Sequence, residues 1–444
     1  MTTFIYMAVD LGFITYILFL VVGYLKNYEI EEMNKYIQNI SGVIPNTHKN
    51  IDIILNGRNL IITGGNGSGK TCLITDLFNK TDILVAQKQQ EDLERLEDEY
   101  LRHDRMLSTI QKGTPSYDNN KNYRDHLKEK IAKIKQGLEL DIPNNVDFSS
   151  KFDDNRAVIS FFEAHRKSDI TEATTAKGIE SEKKNYKAQK VNTSQHYGNN
   201  LEQHLVNLRN RRSLAITEDE DFALADKIHN WFAKFDKDLQ LLLEDQTAKL
   251  KFESSTLKFT ISQKGKPEYT FQSLSSGYKA IFNIYADLLL RTEYFEITPS
   301  ELTGAVFIDE IDAHLHVSLQ RLIFPFLVQS FPNIQFIVTT HSPFVLMSVE
   351  DVVIYDLSKN EQVDGDVSMY SHTSIIEGLL NTKIISHKLD KYVNELSTLI
   401  NSDDIDYSRL ELLLEKLRGN MNNLDSKSKS FFMLGENILL DRVQ

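Results

Sequence analysis

Eight consecutive residues, Gly64-Gly65-Asn66-Gly67-Ser68-Gly69-Lys70-Thr71, satisfy the pattern G-x-x-x-x-G-K-[ST]. Glycines at these positions let successive backbone N–H groups turn inward around a polyphosphate, and a following helix adds the positive end of its dipole. Lys70 has the reach for the outer phosphates, and the Thr71 hydroxyl is placed for Mg²⁺. Ordinary residue frequencies produce this pattern by chance only about 0.02 times in a chain of this length, so it marks a nucleotide site. Farther along, the apolar run Ala305-Val306-Phe307-Ile308 ends in Asp309-Glu310. Two acids at the carboxyl end of a buried strand are where α/β sheets place their ligands. Asp309 suits Mg²⁺ held through water, and Glu310 suits the general base that polarises an attacking water. A third apolar run, Ile334–Val338, ends in Thr339-Thr340-His341-Ser342-Pro343, and His341 there could sense a γ-phosphate. Leu274-Ser275-Ser276-Gly277-Tyr278 opens a helical pattern and offers hydroxyls and backbone N–H groups to a phosphate, although the same residues also make a good helix cap.

These groups need a sheet beneath them. Ile51–Leu55 and Asn59–Thr63 read as strands, and Asn56-Gly57 between them is a strong hairpin signal. The second strand runs directly into the glycine loop, and Cys72-Leu73-Ile74 continues as a helix. Ala157–Phe162, Ala305–Ile308, Ile334–Val338 and Val352–Tyr355 alternate with helical stretches, which predicts a mostly parallel sheet. Leu257–Ile261 and Tyr269–Phe271 read as an antiparallel pair. Leu93, Leu96, Tyr100, His103, Leu107 and Ile110 repeat at spacings of three and four, then Tyr123, Leu127, Ile131, Ile134 and Leu138 do so again. A polar break from Gly113 to Asn120 separates the two sets, so an antiparallel coiled-coil hairpin projecting about 30 Å is expected. Arg166 to Arg212 reads as polar and irregular with a basic excess, Phe222 to Leu250 as helical, and the chain after Ser371 as almost entirely helical.

Composition bounds the class. The 444 residues are 41% hydrophobic and 25% charged, ordinary globular values that exclude fibrous and wholly disordered chains. A formal net charge of −13 argues against generic coating of nucleic acid. The single cysteine, Cys72, excludes an internal disulfide framework and a cysteine zinc site, and a reducing cytoplasm is the natural compartment. Phe4–Leu25 is an apolar run broken only by Asp10, long enough to cross a bilayer, with Lys26 and Lys35 after it. A membrane anchor and a buried element both remain open there.

Taken in order, the four motifs resemble an ABC-type ATPase: Walker A at Gly64–Thr71, signature at Leu274–Tyr278, Walker B at Ala305–Glu310, and a switch histidine at His341. The resemblance implies an α/β P-loop domain with a mixed sheet, an inserted coiled-coil hairpin and a helical carboxyl-terminal tail. It implies ATP and Mg²⁺, with Thr71 and Asp309 at the metal, Glu310 and His341 in catalysis, and Leu274, Ser275, Ser276 and Gly277 acting in trans on the ATP of a second chain. Asp309-Glu310-Ile311-Asp312-Ala313-His314-Leu315-His316 resembles the corresponding run of the SMC/RecF/OLD-like group. Within it the chain is similar to stand-alone ATPases of bacterial antiphage defence, of the Septu, retron-associated and PARIS types. Ser276 and Tyr278 depart from the usual signature, Asp312 replaces the second acid and Val317 stands where proline is usual; these bear on the hydrolysis rate rather than on nucleotide sandwiching. Gln87 and the Phe162–Arg166 segment are alternatives for the Q-loop.

The organisation expected is a hydrophobic segment over 1–30, the ATPase core over 31–85 and 143–370, the coiled-coil insertion over 86–142, and a helical partner or oligomer region over 371–444. Asp404-Ile405-Asp406 reads as a solvated helix start rather than part of a nuclease centre, so effector chemistry is expected from a separate, nuclease-like protein. The leading function is an ATP-dependent switch in antiphage defence, acting as a homodimer or higher oligomer. The alternatives are a DNA-repair or chromosome-associated ATPase, with nucleic acid contacted through Lys183, Lys184 and Lys187, and an ATPase held at a membrane through Phe4–Leu25.

Overall fold

The computed structural model describes residues 36–135, 137–165, 170–180, 183–184, 193, 196–363, 367–370, 372–378, 386–402, 404–421 and 424–441. The Phe4–Leu25 run, Arg166 and Lys187 lie outside them. Among the described residues no helix is long and apolar enough to cross a membrane. The chain divides into two compact units, one ending at Tyr370 and the other beginning at Ser371.

The first unit is built on a six-stranded sheet formed by β3 (Asn59–Thr63), β5 (Ala157–Phe162), β8 (Thr303–Ile308), β9 (Ile334–Thr339), β10 (Val352–Asp356) and β11 (Glu361–Gln362). Their order across the sheet is β11-β10-β3-β9-β8-β5, parallel throughout except for β11. Every residue of β3 and β9 is buried, as is every residue of β8 beyond Thr303. Such unbroken apolar runs are stable only where both faces of the sheet are covered. Pairing sets Ile62 against Thr339 and Ile308 against Val338, so β3, β9 and β8 end side by side at one carboxyl edge.

A three-stranded antiparallel sheet, ordered β2-β1-β4, lies beside the large one, with β1 at Asn39–Val43, β2 at Asn50–Ile54 and β4 at Leu138–Asp141. Gln335 of β9 joins the two sheets: it accepts from the N–H of Ile37 and donates to the carbonyls of Ile37 and Arg58, each at 2.9 Å. The expected hairpin between Ile51–Leu55 and Asn59–Thr63 does not form. β2 pairs with β1, whereas β3 enters the other sheet between β10 and β9. Asn56 and Gly57 do make a turn with positive φ, 50° and 75°, but it carries the chain from one sheet to the next. The burial patterns explain the difference: β2 alternates buried and exposed residues, whereas β3 is buried throughout and needs neighbours on both edges and faces.

Three further expectations are corrected. Lys258–Ser262 pairs with Lys249–Glu253, and Tyr269 adds only an isolated bridge to Ile261, because Phe271–Ser273 already turns toward the next helix. The break near residue 113 is shorter than expected, since Pro115 already starts the helix Pro115–Lys135. That helix packs antiparallel on Gln89–Thr109, with His103 Nδ1 2.8 Å from Asn120 Oδ1 and Arg124 3.1 Å from Asp104. Leu201–Thr217, within the stretch read as irregular, is a helix that buries Leu201, Leu205 and Leu208 together with Glu202, His204 and Asn207. Its buried face mixes polar with apolar residues, so no apolar stripe announces it.

The second unit has its own small core. Leu396, Leu410, Leu413, Leu414, Leu417 and Phe432 meet from the helices His387–Ile400, Tyr407–Arg418 and Ser426–Asp441. Gly435 permits this approach, since a Cβ there would lie 3.1 Å from Leu414 Cδ2. Asp406 caps the second helix by accepting from the N–H of Arg409.

His204 is 1% exposed, and among the described residues neither ring nitrogen has a hydrogen-bond partner. It sits edge-on to Trp231 and Tyr294, and Glu293 Oε2 is 3.9 Å from Nε2, too far for a hydrogen bond. Burial lowers its pKa from 6.5 to about 3. The unfolded chain therefore takes up a proton below pH 6.5 that the folded chain refuses until about pH 3, so stability present above pH 6.5 is lost as the pH falls through that window. His204→Leu removes this loss. Urea denaturation should find the variant gaining about 2 kcal/mol relative to wild type between pH 7 and pH 5; identical pH profiles would show that His204 titrates normally.

Candidate functional site

The glycine loop leaves β3 at Thr63 and enters the helix Lys70–Thr81, which buries Leu73, Ile74 and Leu77 beneath it. Gly64, Gly67 and Gly69 have φ values of 140°, 74° and 105°, backbone conformations that side-chain-bearing residues rarely adopt. At Gly64 space forbids a side chain as well: a Cβ would lie 3.0 Å from Ser358 N and from Ser68 Oγ. Gly65, Asn66, Gly67 and Thr71 are exposed, whereas Lys70 is buried. The Lys70 ammonium donates to the carbonyls of Gly64 at 2.9 Å and Gly65 at 3.1 Å. Burial lowers its pKa, and the nearby charges of Glu310, Asp309 and Asp312 oppose that shift. Among the described residues the buried Ser68 hydroxyl has no hydrogen-bond partner, an orphaned donor inside a loop whose geometry suits a phosphate.

Asp309 is 3% exposed at the end of β8. Its N–H donates to the carbonyl of Phe162 on β5 at 2.8 Å. Its Oδ2 accepts from the Thr71 hydroxyl at 2.9 Å, and its Oδ1 from the Thr339 hydroxyl at 2.6 Å. The helix after the glycine loop and two neighbouring strands thus converge on one carboxylate. Thr71 Oγ1 and Asp309 Oδ2 are a hard-oxygen pair of the kind Mg²⁺ takes alongside substrate phosphates and water, so these residues fit that ion.

Glu310 follows with φ at 45°, a left-handed conformation that costs a residue other than glycine about 1–2 kcal/mol. Its N–H donates to Thr339 Oγ1 at 2.7 Å, which holds it there. Thr339 therefore donates to the Asp309 carboxylate and accepts from the Glu310 N–H. Thr340 next to it donates to Asp312 Oδ1 at 2.5 Å, and its N–H reaches the carbonyl of Ile62 on β3 at 3.1 Å. His341 is half-buried among the same groups. Burial and the charge of Lys70 lower its pKa, against Asp312, Glu310 and Asp309, so its neutral form predominates near pH 7.

Leu274–Gly277 is anchored on the same side as the acids. Ser275 stands at the N-cap of the helix Ser276–Phe295, but its side chain makes no capping hydrogen bond, and Ser275 and Ser276 are both exposed. Gly277 is buried where a Cβ would lie 2.9 Å from the carbonyl of His314. The signature-like residues are thus packed on the segment following Asp309-Glu310, with two hydroxyls turned outward.

Of the Q-loop alternatives, Gln87 donates to Asp82 Oδ2 at 2.8 Å within its own helical turn. Thr339 and Thr340 carry no role that the sequence assigns. A pair of hydroxyl residues closing a fully buried strand was the available signal, because buried hydroxyls need partners.

Residues 144–348 match the family model described as an AAA domain, putative AbiEii toxin, Type IV TA system. The chain is 34% identical over 152 residues to the retron Ec83 probable ATPase of Escherichia coli, covering 32% of this chain and 28% of the relative. It is 29% identical over 234 residues to the retron Vc95 probable ATPase of Vibrio cholerae serotype O1 biovar El Tor, covering 51% and 41%. It is 34% identical over 119 residues to the Septu protein PtuA of Bacillus mycoides (strain KBAB4), covering 25% and 16%. The chain spans less than half the length of each of these relatives. Its motifs resemble those of the ABC-type ATPases of the SMC/RecF/OLD-like group. Retron-associated and Septu proteins are among its relatives.

Thr339→Val should slow ATP turnover about 30- to 100-fold, the effect of leaving the Glu310 N–H and one Asp309 oxygen without a partner. ATP affinity should stay within about three-fold of wild type, and Thr339→Ser should restore turnover. Steady-state phosphate release with parallel calorimetry checks this; unchanged turnover in Thr339→Val would show that the hydroxyl is not needed, and equal losses in both variants would show that the methyl group is needed as well.

Proposed function

We propose that this chain is the ATP-binding and ATP-hydrolysing switch subunit of a bacterial antiphage defence system, dimerising on ATP and controlling a separate effector such as a nuclease. The observation that carries the reading is the meeting of Thr71, Asp309, Thr339 and Glu310 at one sheet edge, directly beside a glycine loop shaped for phosphates. The relatives named retron probable ATPase and Septu protein PtuA supply the defence context.

In this reading Gly64–Thr71 surrounds the triphosphate, and Lys70 exchanges its carbonyl contacts for phosphate oxygens. Mg²⁺, when bound, supplies charge that offsets the negative charge of the phosphates. Thr71 and Asp309 would hold it. Glu310, fixed by Thr339, takes a proton from the attacking water. His341, neutral near pH 7, can hydrogen-bond the terminal phosphate and lose that contact on its release. Ser275, Ser276 and the N-terminus of their helix face outward, placed to complete the site of a second chain. Nucleotide state would then set dimer closure, and dimer closure the hold on the effector.

The alternative is a DNA-repair or chromosome-associated ATPase using the basic segment, in which Lys183 pairs with Glu296 at 2.8 Å and Lys184 is exposed.

Lys70→Ala should weaken ATP binding at least about 100-fold, the loss of a charge-assisted contact to phosphate. Glu310→Gln should bind ATP normally, turn over about 10²-fold more slowly or worse, and accumulate as an ATP-bound dimer. Light scattering of Glu310→Gln with ATP and Mg²⁺ that finds only monomer would exclude dimerisation on ATP.

A further inference from the structure

The outer side of the glycine loop is gripped by two segments with no part in the motifs. One is the turn that follows β10. Asp356 there is fully buried, and its Oδ1 accepts from the N–H of Ser358 at 2.8 Å and that of Lys359 at 3.4 Å. This turn presents the Ser358 hydroxyl to the loop, where it accepts from the N–H of Gly65 at 2.7 Å. The N–H of Leu357 also donates to the carbonyl of Thr63, the last residue before the loop, at 2.8 Å. The other segment is Thr47–Lys49. The Lys49 ammonium donates to the carbonyl of Ser68 at 3.0 Å and to that of Leu357 at 2.5 Å. It ties the loop and the turn after β10 together. Methyl groups of Thr47 and Leu357 lie 3.6 and 3.9 Å from where a Gly69 Cβ would stand.

Lys49 is a second cation beside the phosphate site, yet its ammonium is directed at two main-chain carbonyls on the outside of the loop. Ser358 likewise holds the N–H of Gly65 at the loop's entry. We propose that Lys49 and Ser358 are positioning residues for nucleotide binding, fixing the outer wall of the glycine loop so that its inward N–H groups are arrayed before ATP arrives. The chain then orders less of the loop on binding, and ATP is held more tightly. Neither residue touches the reacting atoms, so the effect falls on affinity and not on the chemical step. The proposal rests on the nucleotide reading of Gly64–Thr71.

The test measures the ATP dissociation constant by calorimetry, and turnover at saturating ATP, for the full chain and for Ser358→Ala, Ser358→Thr and Lys49→Met. Ser358 is exposed, so its variants should fold. Ser358→Ala should raise the dissociation constant about five-fold and Lys49→Met about ten-fold or more, as expected for one neutral and two charge-assisted contacts. Turnover at saturation should stay within about two-fold of wild type, and Ser358→Thr should restore affinity. Unchanged dissociation constants would overturn the proposal, as would a fall in turnover at constant affinity or a threonine variant as weak as the alanine one. Failure of the wild-type chain to bind ATP at all would instead refute the nucleotide reading, and the proposal with it.

Discussion

The hydrogen bonds made by the Asp309 carboxylate hold the rest of the site in place. One oxygen takes the hydroxyl of Thr71, at the start of the loop helix, and the other takes that of Thr339, at the end of the adjacent strand. A buried carboxylate with empty lone pairs would be costly, and these two hydroxyls offset much of that cost. The same bonds fix the spacing between the phosphate loop and the acid that follows Asp309. They can form only because β3, β9 and β8 are consecutive in the sheet and end level with one another. The long apolar runs of those strands, covered on both faces, are therefore what places the site.

Around this centre the structure keeps several groups under tension. Glu310 is in a left-handed conformation, secured by the Thr339 hydroxyl. Lys70 is buried and satisfied by carbonyls of its own loop. His341 is kept neutral by burial and by the lysine charge. Lys70 and His341 could each make a better contact with a polyphosphate than they make without one, which suits a site that changes state on binding and release. Packing of Gly277 against the carbonyl of His314 connects the segment after Glu310 to the helix start that carries Ser275 and Ser276. In the proposed mechanism a change at the terminal phosphate thereby has a short path to the surface proposed to meet a second chain.

Motif and strand were legible in the sequence where the chemistry is strict. Three glycines with positive φ, a lysine and a threonine in fixed order admit few alternatives, and so does an apolar strand ending in two acids. Partners were less legible. Asn56-Gly57 gives a true turn, but local signals cannot say whether the next strand returns to its neighbour or crosses to another sheet; that depends on which strand can be buried on both faces. The helix Leu201–Thr217 was hidden because Glu202, His204 and Asn207 are buried on the same face as its leucines. Thr339, Lys49 and Ser358 were hidden for a related reason. Their roles come from hydrogen bonds to residues far away in the chain, and only the folded sheet edge brings those partners together.

The most direct test of an ATP site completed by a second chain is phosphate release by the wild-type protein over a range of concentrations, with ATP and Mg²⁺ and then with the metal chelated. If each site borrows a helix start from another molecule, specific activity should rise with protein concentration, and release should stop on chelation. Activity per chain that stays constant down to the lowest concentrations would contradict completion in trans, and the absence of any Mg²⁺-dependent release would contradict the hydrolytic site itself.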